Sequence, residues 1–317
     1  MSIPLYVRLG SLALMAAGAG YSFAAPFAYV PNEGSGNVTV IDTETDQVVA
    51  EIAAGKKPRG LAVSIDSHWL YVSDQPNNRL QLIDLRKLKP AGHVDLGESP
   101  EGVSISPDGR WVVAAVEENN EIIITDTQTN KLAFSIKVHG RNPEHAVFSP
   151  DGLHIFVSAE EGGAVDVIDF VTRQQVAQVT VGSRPRGIGF LPDGSRAYVA
   201  TESSNEVYVI DAKSFQIVTR IKAGQRANGV AVHPDGSRVY VSNGGEASVS
   251  VIDTASNAIV ATVPVGQRPW NMALTPDGKK LYVANGRSNS VSVIDTVQNV
   301  KLRDVAVGKL PWGVVIK

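Results

Sequence analysis

Cysteine does not occur in the 317-residue sequence. Its absence excludes a disulfide, a thiolate metal site, a covalently attached c-type haem and a lipid-modified cysteine. A dominant charge is lacking too: 29 Lys and Arg stand against 32 Asp and Glu, a formal −3. A chain so balanced offers no global attraction for nucleic acid. Helical hydrophobic periodicity is missing, so no amphipathic helix is expected. Nor does the chain carry a nucleophile elbow, a phosphate-binding glycine loop or a zinc-protease motif. Long apolar runs are confined to the start. Arg8, the apolar run 9–19 and the small-residue site Ser22-Phe23-Ala24 predict a secretory leader over 1–24, cleaved after Ala24. Gly10, Gly18 and Gly20 interrupt that run, which is too short to span a membrane comfortably.

What the chain has in abundance is repetition. Asp42, Asp84, Asp126, Asp169, Asp211, Asp253 and Asp295 each end an alternating apolar stretch, at spacings of 42, 42, 43, 42, 42 and 42. A period of this length built from short strands is that of a propeller blade. The copy at 229–265 resolves into strand A (229–233), strand B (238–242), strand C (248–252) and strand D (258–265). Strands A and B are joined by Pro234-Asp235-Gly236, and the same tripeptide starts at Pro107, Pro150, Pro192 and Pro276. Proline fixes φ and glycine supplies the positive φ of a tight turn. The recurring Asp after Val-Ile is suited to bonding the backbone N–H groups of its own turn. Residues 25–317 begin at a strand B (27–30) and end after a strand A (313–316). Pairing those two strands closes the ring and removes its open edges. The expected fold is therefore an all-β, seven-bladed propeller of four antiparallel strands per blade, in one domain over 25–317.

Tyr240-Val241-Ser242-Asn243 and Tyr282-Val283-Ala284-Asn285, each followed by Ser-Val-Ser-Val-Ile-Asp-Thr, resemble the Tyr-Val-Thr-Asn (YVTN) family of β-propeller repeats. The segment from Asn285-Gly286 to Asp295 and the ending Val307 to Val315 resemble the exported propellers associated with pyrroloquinoline quinone (PQQ)-dependent alcohol catabolism. That resemblance implies a periplasmic or secreted protein. Its partner would be a small organic ligand or a periplasmic protein, such as a quinoprotein dehydrogenase or a transport component. Two other relatives imply different roles: periplasmic propellers that bind single-stranded DNA, and seven-bladed lactonases.

A scaffold of copies is expected to carry its chemistry where the copies differ. The loop from D to A has the form Gly-x-x-Pro-x-Gly, and the residue after its proline varies: Arg59, Glu101, Glu144, Arg186, Asn228, Trp270 and Trp312. These residues form a ring around one mouth of the channel and suit a polar organic ligand with a flat part stacked on Trp. The B-to-C loops bring Asp74, Glu117, Glu118, Glu160, Glu161 and Glu202 to the same face, read as a solvated rim. Lys57, Arg184, Arg226 and Arg268 balance them, and this mixture favours a zwitterionic or protein partner over a polyanion. In one blade His139 is inserted and His145 replaces the glycine found in five others. Two histidines and Glu144 within seven residues can bind a divalent metal. The reading is an exported, monomeric, non-enzymatic propeller that binds its ligand at the ring residues and His145, with no catalytic residue, metal or cofactor assigned. A lactonase using Glu101, Glu144 or His145 as base, with Arg59 or Arg186 holding substrate, is the alternative; single-stranded DNA binding is the third.

Overall fold

A computed structural model describes residues 26–317; the expected leader, 1–24, lies outside the described residues. Seven four-stranded antiparallel sheets follow one another along the chain. We number them blades 1 to 7. Blade 1 takes strands B, C and D from 27–53 and strand A from Val315–Ile316 at the far end of the chain. Blades 2 to 7 occupy 58–95, 100–137, 143–180, 185–222, 227–264 and 269–306. Among the described residues no helix is long and apolar enough to cross a membrane.

Valine, isoleucine and tyrosine dominate strands B and C, and these strands are buried on both faces because each sheet is covered by its two neighbours. Strand D is the outer edge. In blade 6, Ala258–Pro264 keeps a single buried residue, Val263. Three tyrosines of strand B, Tyr71, Tyr198 and Tyr282, carry their hydroxyls across to the next blade. Tyr71 donates to Asn130 Oδ1 and Tyr198 to Asn257 Oδ1, both at 2.8 Å. At the closing seam the acceptor is Asp46, reached by the Tyr282 hydroxyl and by Lys280 Nζ at 2.8 Å.

Closure is shorter than the expected 313–316. Ala28 pairs with Ile316 and Tyr29 with Val315, and an isolated bridge joins Asn32 to Pro311. The reason lies in strand A of every blade, which bulges by one residue just after its start. Register shifts fall at Pro58/Leu61, Pro100/Val103, Pro143/His145, Pro185/Ile188, Ala227/Val230 and Pro269/Met272. A bulge bends the strand and re-aims its side chains. Here it contains the variable ring residue each time. Strand B fixes the bulge from behind: Ser73 Oγ accepts from Gly60 N at 2.9 Å and donates to the carbonyl of Glu101 in the next blade at 2.7 Å. Ser242 does the same for Gly229 and Trp270, at 2.8 and 2.5 Å. Inner strands are so close that a Cβ on Gly60 would lie 2.3 Å from the Glu101 carbonyl oxygen.

Candidate functional site: the channel mouth

The D-to-A and B-to-C loops share one end of the propeller and are tied together in all blades by one backbone hydrogen bond. The residue after strand B donates its N–H to the carbonyl of the residue before the loop proline or its equivalent. Examples are Glu33 to Leu310 (3.0 Å), Glu160 to Asn142 (2.8 Å), Glu202 to Arg184 (2.8 Å) and Gly286 to Arg268 (2.9 Å). A second ring therefore lies beside the first: Glu33, Gln75, Glu117, Glu160, Glu202, Gly244 and Gly286. Its two glycines make room. A Cβ on Gly286 would lie 2.8 Å from the Trp270 ring, and one on Gly244 3.0 Å from Arg268 Nη1.

Neighbouring members of the first ring pair by charge. Arg59 Nη1 donates to Glu101, and Arg59 Nε meets Glu33 at 3.2 Å. Arg186 stands at the centre of a larger network, with Nη1 2.6 Å from Glu144 and 2.9 Å from Glu160, and Nε 3.1 Å from Glu202. Glu202 also meets Arg268 at 2.7 Å and Arg226 at 3.7 Å, while Arg184 bonds Glu160. These groups surround a cavity of about 200 Å³, reached as well by Asn228, Trp270 and Trp312.

The acids do not form the solvated rim expected of them. Glu101, Glu144 and Glu202 are buried, and the Glu117 and Glu160 side chains are turned inward. Asp74 is wholly buried and accepts from the N–H groups of Lys56 and Lys57 at 2.8 and 3.2 Å, so it builds the loop rather than the mouth. Glu118 and Glu161 alone of that set stay exposed. Burial and the charges of Glu144 and Glu117 push the Glu101 carboxyl well above the usual range. Glu117 is raised by burial and by Glu144, and Glu160 is pushed up to about 7 by burial and Glu144 against the pull of Arg186. For Glu144 and Glu202 burial acts upward as well, but the adjacent guanidiniums, led by Arg186, hold both below the usual range.

The two ring tryptophans differ in what they do. Trp312 is buried and stacks on His145, with centroids 5.4 Å apart and planes 15° apart. Blades 1 and 4 lie on opposite sides of the ring, so this pair crosses the channel and plugs it. Burial holds the His145 imidazole below its usual pKa, and therefore neutral. Trp270 is half-buried and faces the cavity. Trp69 and Trp111 lie at the other end, where Trp69 stacks on His68 and Trp111 packs on Phe134 and Phe170.

His139 does not join Glu144 and His145. It is exposed and lines a separate groove with Lys137 and Arg173, between the outer strands of blades 3 and 4. The histidine-centred metal set that the spacing allowed is thus not assembled. Carboxylate oxygens of Glu117, Glu144 and Glu160 do lie within 4.8 Å of one another. The Arg186 guanidinium bonds two of those three carboxylates, Glu144 and Glu160, and leaves Glu117 as the one it does not meet. Sequence reasoning placed Glu117, Glu160 and Glu202 on this face but missed Glu33 and Gln75 and did not recognise the seven positions as a second ring. Their signal is the residue that follows strand B in each copy, which varies as the first ring does.

The profile of the YNCE-like beta-propeller family matches residues 4–317. No curated protein sequence matches the chain. Among solved structures, hydrazine synthase of Kuenenia stuttgartiensis is similar at 24% identity and a TM-score of 0.79, over 90% of this chain and 99% of that one. The periplasmic gluconolactonase PpgL of Pseudomonas aeruginosa is similar at 22% identity and 0.78, over 92% and 98%. A Bacteroides uniformis protein described as a 6-phosphogluconolactonase is similar at 21% and 0.78, over 92% and 99%. At these identities the likeness is one of fold. With the profile spanning nearly the whole chain, the protein belongs to the YncE-like β-propeller family.

Proposed function

We propose that this is an exported propeller that binds a small polar organic molecule at the channel mouth. One observation carries the reading. Six of the seven variable ring residues, Arg59, Glu144, Arg186, Asn228, Trp270 and Trp312, line one cavity that also holds buried ion pairs. Burying charge costs several kcal/mol per ion unless it is paired, and an apolar lining of the same shape would be as stable or more so. A propeller needing only to fold has no use for such a lining. Export is supported by the leader expected over 1–24 and by the periplasmic description of a similar propeller. A place beside PQQ-dependent dehydrogenases, or docking of such a dehydrogenase or a transport component over this face, is part of the same proposal and rests on the resemblance of the C-terminal repeats. Single-stranded DNA is disfavoured because the mouth arginines are already taken by carboxylates. The test is a fluorescence titration against small polar metabolites. Trp270→Ala is expected to weaken binding by about 1–3 kcal/mol, the range of an aromatic anchor, and Trp111→Ala to leave it unchanged. Equal losses at both would place the site elsewhere.

Lactone hydrolysis is the second reading, supported by the similarity to the two proteins described as lactonases. Glu160, pushed up to about 7, is the carboxylate best matched to general base catalysis near neutral pH. Glu101 is wholly buried and does not line the cavity, and Glu144 is held below the usual range by Arg186, so both are less suited to this role than the sequence suggested. This reading predicts turnover of some lactone that falls at least ~100-fold in Glu160→Gln. A lactone panel with no turnover would remove it.

A further inference from the structure

The cavity is lined by four glutamates (33, 117, 144 and 160) and four arginines (59, 184, 186 and 268), so its charges balance while being unevenly placed. Blades 3 and 4 contribute the clustered carboxylates Glu117, Glu144 and Glu160. Across the channel, blade 7 contributes Trp270 and Arg268. Among the described residues, buried polar atoms at this end of the channel with no partner within the protein include Oε2 of Glu101 and Nδ1 of His145, residues that do not line the cavity, and Nη1 of Arg268, which does. Buried polar atoms in native proteins are nearly always paired, so the orphan Arg268 donor at this cavity calls for an acceptor that arrives from outside.

Resting on the small-molecule reading of the mouth, we propose that its ligand is a small zwitterion of the α-amino acid or betaine class. The ammonium group sits between the face of Trp270 and the carboxylates of Glu117, Glu144 and Glu160, and the carboxylate group sits against Arg268. A cation over a tryptophan face is attracted by the ring quadrupole. A simple anion could meet the free Nη1 of Arg268 in the same way, since Glu202 holds Nη2 at 2.7 Å, but it would leave the carboxylate wall unanswered. A simple cation would leave the arginine side unanswered and unbalance the lining. A molecule with separated poles and no net charge answers both walls at once.

The experiment is isothermal titration of the leaderless protein with glycine betaine and a panel of α-amino acids, beside tetramethylammonium, acetate, gluconate and glucono-δ-lactone, with Trp270 fluorescence followed in parallel. At least one zwitterion is expected to bind at least ten-fold tighter than either half-ligand. Arg268→Met is expected to erase that advantage while leaving tetramethylammonium unchanged, and Glu160→Gln to weaken both. Melting curves confirm that each variant is folded, and Arg268→Lys replaces Arg268→Met if the latter is not. Binding of gluconate or the lactone with a Trp270 response, and of no zwitterion, would overturn the inference and leave the mouth as the site. Absence of a Trp270 response to every probe, with a zwitterion bound elsewhere or nothing bound, would overturn both.

Discussion

The two ends of this propeller are built on the same backbone and differ in what the sequence does with it. At the end of the Pro-Asp-Gly turns the blades are near copies. Ser106, Ser149 and Thr275 each donate to the Asp two residues on, at 2.5, 2.5 and 2.6 Å. The turn glycines 109, 152, 194, 236 and 278 share φ between 69 and 74°. At the mouth the hydrogen bonds repeat just as faithfully, but Arg, Glu, Asn and Trp alternate in the bulge that faces the channel. The carboxylates mark the contrast. Those of the Pro-Asp-Gly turns sit in solvent, bonded by backbone N–H groups, and titrate low, Asp235 at about 2. Those of the mouth are buried among one another and several titrate high. Repetition makes the frame, and the ring is where the blades differ.

The largest expected effect breaks both ends at once. Deleting residues 313–317 removes the inner strand of blade 1 and exposes the edges it covers; the truncated protein should aggregate or lose its cooperative melting transition. A melting temperature within a degree or two of the parent would contradict ring closure by that strand. The next effect separates the ends. Arg186→Met leaves Glu144, Glu160 and Glu202 buried without their shared partner and is expected to cost about 3–5 kcal/mol in denaturant unfolding. Arg110→Met, which removes the partly exposed 2.6 Å pair with Asp126 at the turn end, should cost about 0–1 kcal/mol. Similar losses in the two variants would erase the distinction.

Titration sharpens the comparison because the two ends have opposite slopes. Glu160 is pushed up to about 7, so between the ordinary carboxylate range and that value the folded state holds a proton that the unfolded state has released. Its contribution is fully present at low pH and is lost as pH rises toward 7 and beyond. Asp235, lowered to about 2, contributes stability that is present above the ordinary range and lost as pH falls through 2. Thermal melts from pH 2 to 8 should show both limbs, and Glu160→Gln should flatten only the upper one. The smallest effect belongs to the frame: Tyr198→Phe removes the 2.8 Å bond to Asn257 and should cost about 0.5–1.5 kcal/mol without altering ligand affinity.

Much of the frame was legible in the sequence because its signals are local. The aspartate spacing, the Pro-Asp-Gly turns and the alternation of strands B and C each lie within one copy. The positions of the first ring were legible for the same reason. Its electrostatics were not, because they are made between blades: Arg268 meets Glu202 across 66 residues of chain, and Trp312 reaches His145 on the far side of the channel. Charged loop residues that read as a solvated rim are buried because the bulge and the second ring turn them inward together. The shortened closing strand has the same origin, since a bulge interrupts the ladder that alternation predicts.

The most direct test of the mouth as the binding end uses the four tryptophans, two at each end. With 5-fluorotryptophan incorporated and the resonances assigned by single substitutions, ¹⁹F spectra are recorded during titration with a ligand that binds. The account predicts a shift at Trp270, with or without a response from the Trp312–His145 stack, while Trp69 and Trp111 stay still. Movement of Trp69 or Trp111 with Trp270 unchanged would contradict it and place the binding face at the Pro-Asp-Gly end.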